Sequence, residues 1–203
     1  MQPRKKLPAN ERRQAIVTAA THLFSERGFR GVTTRELAKA CGVSEPVLYE
    51  HFADKRQLYA AILEQTAASN PSITRRIDEA FASNLEAPQF IHLIADTIVR
   101  FLDKNPNYSR LVLFSALEGH DLAQLNFEHH MKPFHTMLMK RLQADIDAGK
   151  LRACDPAAAA RVFLGMLNQY FIYDLHFGFS ISKTSRKKAI EGMVDIFLHG
   201  ITK

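Results

Sequence analysis

The stretch Thr33–Lys55, TTRELAKACGVSEPVLYEHFADK, leaves this chain the least freedom. Thr33 and Thr34 are hydroxyl residues suited to satisfying unpaired N–H groups at a helix start. Leu37, Ala38 and Cys41 then follow at helical spacing and give one apolar face. Gly42 is the residue best suited to a left-handed turn. Ser44 supplies a second cap, and Pro46 falls in the next helix's first turn, where its missing N–H is harmless. Val47, Leu48 and Phe52 complete the apolar contacts. Two helices of about two turns with a glycine turn between them match a helix-turn-helix, whose second helix lies in a DNA major groove.

A helical hairpin that only packs is the plainer alternative. Against it stands the polar remainder of the second helix, where Glu45, Tyr49, Glu50 and His51 are able to meet phosphates and base edges. A motif this small cannot bury enough surface alone. An amphipathic helix before it, with Ile16, Ala19, Ala20, Leu23 and Phe24 on one face, supplies the missing side. Asn10 is its expected cap, and Gly28 ends it. Charge points the same way: 27 Lys and Arg face 21 Asp and Glu, a net +6, and 11 of those cations against 7 acids lie within residues 1–65. That field attracts a polyanion.

The order GFRGVTTRELAKACGVSEPVLYEHFADKRQL resembles the DNA-binding domain of the tetracycline-repressor (TetR) family of bacterial transcriptional regulators, over about Asn10 to Leu63. The resemblance implies that the second motif helix reads an operator. It also implies that the Tyr-x-His-Phe-x-x-Lys segment, here Tyr49, His51, Phe52 and Lys55, grips the DNA backbone. The expected DNA-facing set is Thr33, Thr34, Arg35, Ser44, Glu45, Pro46, Val47, Tyr49, His51 and Lys55. Within it, Thr34, Tyr49, His51 and Lys55 are expected on phosphate, and Arg35, Glu45, Pro46 and Val47 on bases. Glu45 departs from the family, many members of which carry Lys or Arg there; an acid repels phosphate but accepts from a cytosine amino group.

The rest of the chain reads as helix throughout, with no strand period, so the fold class is all-α. Residues 1–9 form a basic flexible tail, 10–55 the helix-turn-helix domain and 56–203 a helical regulatory and dimerisation domain, with the helix 55–68 connecting the two. Asp54 caps that connecting helix. A long helix from Asp121 to about Ala148 is expected to bend near Pro133. Leu111–Phe114 and Leu117 read as a short buried helix. Asp155-Pro156 opens another helix that runs to about His176, and the last spans about Arg186 to Gly200.

These last two helices carry more apolar residues than one face needs. Phe163, Leu164, Leu167, Phe171, Ile190, Met193, Val194 and Phe197 are the expected interface of a homodimer closed by a four-helix bundle. A two-fold dimer would read a roughly palindromic duplex. The resemblance further implies a small-molecule effector in the C-terminal domain. Phe101, Phe114, Leu117, Phe134, Leu138, Asn168 and Tyr170 are its expected contacts, favouring an apolar or aromatic ligand.

The competing class is an all-α enzyme or small-molecule carrier. No Gly-rich phosphate loop, nucleophile elbow or metal-ligand spacing is present, and Glu128, His129, His130 and His135 fit no HExxH. No cofactor and no metal are expected. No apolar run reaches the ~20 residues of a membrane span. The two cysteines, Cys41 and Cys154, read as reduced thiols of a cytoplasmic protein.

Overall fold

The computed structural model describes residues 8–118, 120–179 and 184–202. Residues 1–7 of the expected basic tail lie outside that set. The described residues are helical apart from short connections, with a single antiparallel bridge between Leu151 and Thr202. They divide into two compact units, one of residues 8–69 with 107–126 and one of 70–106 with 127–202.

The first unit opens with α1 (Ala9–Arg27), which begins right after Pro8, so Asn10 lies inside the helix and does not cap it. α2 (Thr34–Cys41) starts with a complete capping box: the Thr33 hydroxyl accepts from the Glu36 N–H, and the Glu36 carboxylate accepts from the Thr33 N–H. Gly42 ends it at φ 65, a left-handed conformation in which the Gly42 and Val43 N–H groups close back on Lys39 and Ala38. α3 (Glu45–His51) carries Pro46 in its first turn. α4 (Lys55–Ala68) is capped by Asp54, whose carboxylate accepts from the Gln57 N–H at 2.7 Å. α7 (Pro106–Glu118) and α8 (His120–Asn126) complete the unit, following α5 and α6 in the chain.

One core joins these elements. Ile16, Val17 and Phe24 of α1 share it with Leu37, Leu48 and Phe52 of the motif. Leu58, Tyr59, Ile62 and Leu63 of α4, together with Leu111 and Leu122, belong to the same cluster. The domain boundary expected at residue 55 therefore does not coincide with the packing. The apolar residues of α4 are buried in this cluster, with α4 packed on α1 and α8, so the connecting helix is part of the head.

The second unit contains α5 (Pro71–Ala82), α6 (Ala87–Lys104), α9 (Lys132–Asp147), α10 (Pro156–Phe171) and α11 (Arg186–Ile201). A π-helical turn, Phe127–Met131, precedes α9. Pro133 follows it in the first turn of α9 and has no N–H to donate one turn back, which accounts for the irregularity expected there. A second π turn, Ile172–His176, extends α10 to the expected end. Asp155 caps α10 by accepting from the Ala157 N–H at 2.9 Å.

Inside this unit Arg141 performs one unusual task. Its Nε donates to the Asp145 carboxylate at 2.9 Å, and Nη1 and Nη2 donate to the Ser83 and Leu85 carbonyls that connect α5 to α6. Its guanidinium also lies 4.4 Å over the Phe90 ring. The pair is largely buried, with side-chain exposures of 13% and 8%, so both charges depend on each other and on those carbonyls. Arg141→Met should leave Asp145 buried without its counterion and lower unfolding stability by about 3 kcal/mol. Urea denaturation measures this, and a loss below about 1 kcal/mol would show the pair to be solvated.

Candidate nucleic-acid interface

α3 is held by its apolar residues and presents the rest. Leu48 and Phe52 are buried, whereas Ser44, Pro46, Tyr49 and Glu50 are exposed, and Val47 and His51 are half-buried. On α2, Arg35 and Lys39 are exposed. The two helix starts are tied together: Thr34 Oγ1 donates to Glu45 Oε2 at 3.0 Å. Ser44 occupies the cap position of α3 but makes no side-chain cap bond. The Glu45 carboxylate thus has a partner inside the motif, which orients it and reduces its repulsion of an approaching backbone. Of the expected DNA-facing residues, Thr33, Arg35, Ser44, Pro46 and Tyr49 are exposed, and Thr34, Glu45, Val47 and His51 are half-buried.

Lys55 departs from expectation. Its ammonium donates to the Phe29 and Val32 carbonyls, both at 2.6 Å, and sits 4.3 Å over the Phe29 ring. Desolvation pushes its pKa down, opposed by the nearby Glu118 and Glu36 carboxylates. The side chain is folded inward onto the α1–α2 connection and is not extended toward solvent. It braces the motif, and its placement among the outward phosphate contacts is corrected accordingly.

The same connection is gripped from its other side. The Glu118 carboxylate, at the end of α7, accepts from the Phe29 N–H at 2.7 Å and the Arg30 N–H at 3.1 Å. Arg27 Nη2 adds bonds to the Gly31 carbonyl at 2.6 Å and the Glu36 carboxylate at 2.9 Å. Gly28 has φ 73, and a Cβ there would lie 2.0 Å from Glu118 Oε1, so both backbone and space require glycine. Sequence reasoning missed Glu118, which has no local signal and acts 89 residues from its partner.

Cys41 is half-buried near the Ile16 carbonyl, and burial pushes its thiol up to about 11. That keeps it protonated and inert at neutral pH. Cys154 is also half-buried, and both are free thiols.

The expected effector contacts are divided between the two units. Leu117 is 85% exposed and Asn168 is exposed; Leu138 is fully buried in the second core. Phe134 is spent on Phe81, ring to ring at 5.9 Å, and Tyr170 on Phe171. Phe114 and Leu117 belong to the first unit, whereas half-buried Phe101 and the others belong to the second. A cleft of about 560 Å³ lies between α5 and α6, lined by Ile73, Ala80 and Leu93 with Arg75, Arg76, Arg100 and Lys104.

The expected dimer residues also need correction. Phe163, Leu167, Phe171, Ile190, Val194 and Phe197 lie in the protomer's own core, at 7% exposure or less, and Leu164 and Met193 are half-buried against it. A side chain fully used inside one chain has no surface left for another. The opposite sides of α10 and α11 expose Val162 (59%) and Ile196 (76%). Gly165 and Gly192 lie near them, and a Cβ at either would meet nothing within 4 Å.

Among the described residues no three His, Cys, Asp or Glu side chains are grouped as for a metal, and no helix is long and apolar enough to cross a membrane. Glu128 pairs with Lys132, and His135 Nδ1 with the Met131 carbonyl.

An all-helical chain with a braced helix-turn-helix head and a separate helical body defines a class of DNA-binding transcriptional regulators. The family model of bacterial regulatory proteins of the tetR family matches residues 16–62. That of the AefR-like transcriptional repressor C-terminal domain matches residues 91–200, more than half of the chain. The chain belongs to the TetR family, and like its members it is a regulator and not an enzyme. The nucleoid occlusion factor SlmA of Haemophilus influenzae is 36% identical over 114 residues, 56% of this chain and 51% of that protein. The chain thus spans about half the length of this curated relative. FadR from Bacillus subtilis, solved with stearoyl-CoA, superposes with a TM-score of 0.74 at 17% identity, over 92% of this chain and 98% of that one. AibR, solved with isovaleryl coenzyme A and operator DNA, gives 0.68 at 23%, over 91% and 97%. At these identities the likeness is one of fold.

Two outcomes follow from the braces. Lys55→Met should remove a charged donor from two carbonyls and lower the head's stability by about 2 kcal/mol, while weakening all duplexes alike. Unchanged thermal unfolding with a shallower salt dependence would return Lys55 to a phosphate. Glu36 is held down to about 2, against an ordinary 4.5, first by the Thr33 N–H, then by the Thr33 hydroxyl and Arg27. Its folded value lies below its unfolded one, so its stabilisation is complete above pH 4.5 and lost as pH falls toward 2. The melting-temperature gap between wild type and Glu36→Gln should close over that window, and a gap independent of pH would contradict it.

Proposed function

We propose that this regulator is a ligand-responsive repressor that binds a palindromic operator as a homodimer. The observation that carries the reading is the braced α2–α3 pair, with Arg35, Pro46 and Tyr49 exposed beside half-buried Val47 and His51. Arg35, Pro46 and Val47 read bases. Tyr49 and His51, with the Thr33–Thr34 helix start and Ser44, take phosphate. Glu45, oriented by Thr34, accepts from a cytosine amino group. Binding a bacterial chromosome places the protein in the cytoplasm.

Dimerisation uses the outward sides of α10 and α11. Val162 and Ile196 are large apolar residues in water, flanked by Gly165 and Gly192, which permit close helix approach. Two-fold pairing buries this surface and fixes two reading helices about one DNA turn apart, or a multiple of it, which makes the operator palindromic. Repression is supported by the name of the C-terminal model, and response to a small molecule by the complexes of FadR and AibR. Nucleoid occlusion is not carried over from SlmA, because that likeness spans about half of that protein.

Release follows from differential affinity. α4 is part of the head's core and continues along the chain directly into α5, and α7 ends on Glu118 at the α1–α2 connection. A ligand that prefers a body conformation with these helices shifted lowers DNA affinity; equal preference would change nothing.

Selection of bound duplexes from a random pool should recover a palindrome, with affinity falling steeply as salt rises. Recovery of no common sequence would overturn the reading. Ile196→Glu should give a monomer by sedimentation and weaken operator binding on the order of 10²-fold. A variant that stays dimeric would move the interface elsewhere.

A further inference from the structure

None of the residues expected to meet an effector lines the cleft between α5 and α6. Its floor is apolar: Ile73 and Ala80 are buried, and Leu93 is half-buried. Its rim is cationic. Arg75, Arg76, Arg100 and Lys104 line it with one carboxylate, Glu79. A volume near 560 Å³ is within the range of small-molecule sites.

The cations are arranged, and incompletely neutralised. Arg76 Nη2 and Arg100 Nε both donate to the same Asp96 oxygen, at 2.7 and 2.8 Å. One carboxylate therefore orients two guanidinium groups from different helices and balances only one of them. Arg75 has Glu79 at 3.7 Å, an exposed and weak pair. Arg76 Nε is buried and has no acceptor. That N–H faces away from the open cleft, while the rest of the Arg76 side chain, 40% exposed, is what an anion oxygen in the cleft can meet. Guanidinium groups fixed in advance suit planar oxyanions through charge-assisted bonds.

We propose that the α5–α6 cleft binds a small amphiphile whose oxyanion head, a carboxylate or a phosphate, is held by Arg76 and Arg100 while its apolar body lies on Ile73, Ala80 and Leu93. Arg75 and Lys104 add attraction at the mouth. The ligand of this cleft is thus anionic at one end and apolar along its body. The binding stands on the cleft alone; only its consequence at DNA rests on the ligand-responsive reading above.

The test is titration calorimetry of the full chain with dodecanoate, dodecyl phosphate, dodecanol and inorganic phosphate, the amphiphiles kept below micelle formation. One or both anionic amphiphiles should bind, and which one binds names the head group. Dodecanol and inorganic phosphate should each bind at least about tenfold more weakly, having lost one half of the recognition. Arg76→Lys keeps a cation beside Asp96 but loses the planar guanidinium fork; it and Arg100→Gln should each weaken the anion about tenfold while leaving thermal unfolding close to wild type. Equal affinity for dodecanol, or wild-type affinity in both variants, would overturn the site. A parallel operator-release assay separates the two readings. Binding that the variants abolish but that leaves DNA affinity unchanged keeps the cleft and removes ligand-responsive repression. Release by a molecule that binds both variants like wild type does the reverse.

Discussion

The head depends on how five residues, Gly28 to Val32, satisfy their backbone. Only the Gly28 N–H of this connection closes back on α1, at the Phe24 carbonyl, and unpaired backbone groups in the rest would be costly. Side chains from three directions supply the partners. Glu118 accepts two N–H groups, the Lys55 ammonium donates to two carbonyls, and Arg27 donates to a third. An anion meets the donors and cations meet the acceptors, so each strengthens the electrostatic environment of the others. Because Lys55 opens α4 and Glu118 closes α7, the orientation of the α2–α3 pair is set by residues outside the motif itself.

The body obeys a different constraint. α10 and α11 each have two apolar sides, and only one can face the protomer's core. Phe163, Leu167, Val194 and Phe197 take that side, next to Phe90, Ile94 and Leu142. What remains outward is a small surface of Val162 and Ile196 with glycines beside it. A core side that is already complete makes the outward side available for a second chain without altering the fold. Arg141, by binding the carbonyls between α5 and α6, fixes the helix pair that forms the cationic cleft.

The motif was legible in the sequence because its signals are local. The Thr33 capping box, the left-handed Gly42, Pro46 in a first turn and the Asp54 cap all act within four residues of their targets. Helix order was legible for the same reason. What failed required knowledge of which helices meet. Periodicity identified an apolar stripe on α10 and α11 but could not say whether it faces the same chain or another. Leu117 looked like core and is almost fully exposed, since its helix buries Leu111 and Ser115 instead. Lys55 was expected on phosphate because the family resemblance implied it, whereas the carbonyls that receive its ammonium cannot be seen in a sequence. The cleft joins Arg76 to Arg100 across two helices, and no local pattern marks that meeting.

The central claim is that the Thr33–His51 surface, held by the Gly28–Val32 connection, is what meets the duplex. Amide hydrogen exchange on the full chain, with and without a selected duplex, tests it most directly. The account predicts that added protection concentrates in residues 28–55, with the amides of α2, α3 and the α1–α2 connection slowed most. Protection confined to residues 70–106 or 132–201, with residues 28–55 unchanged, would contradict it.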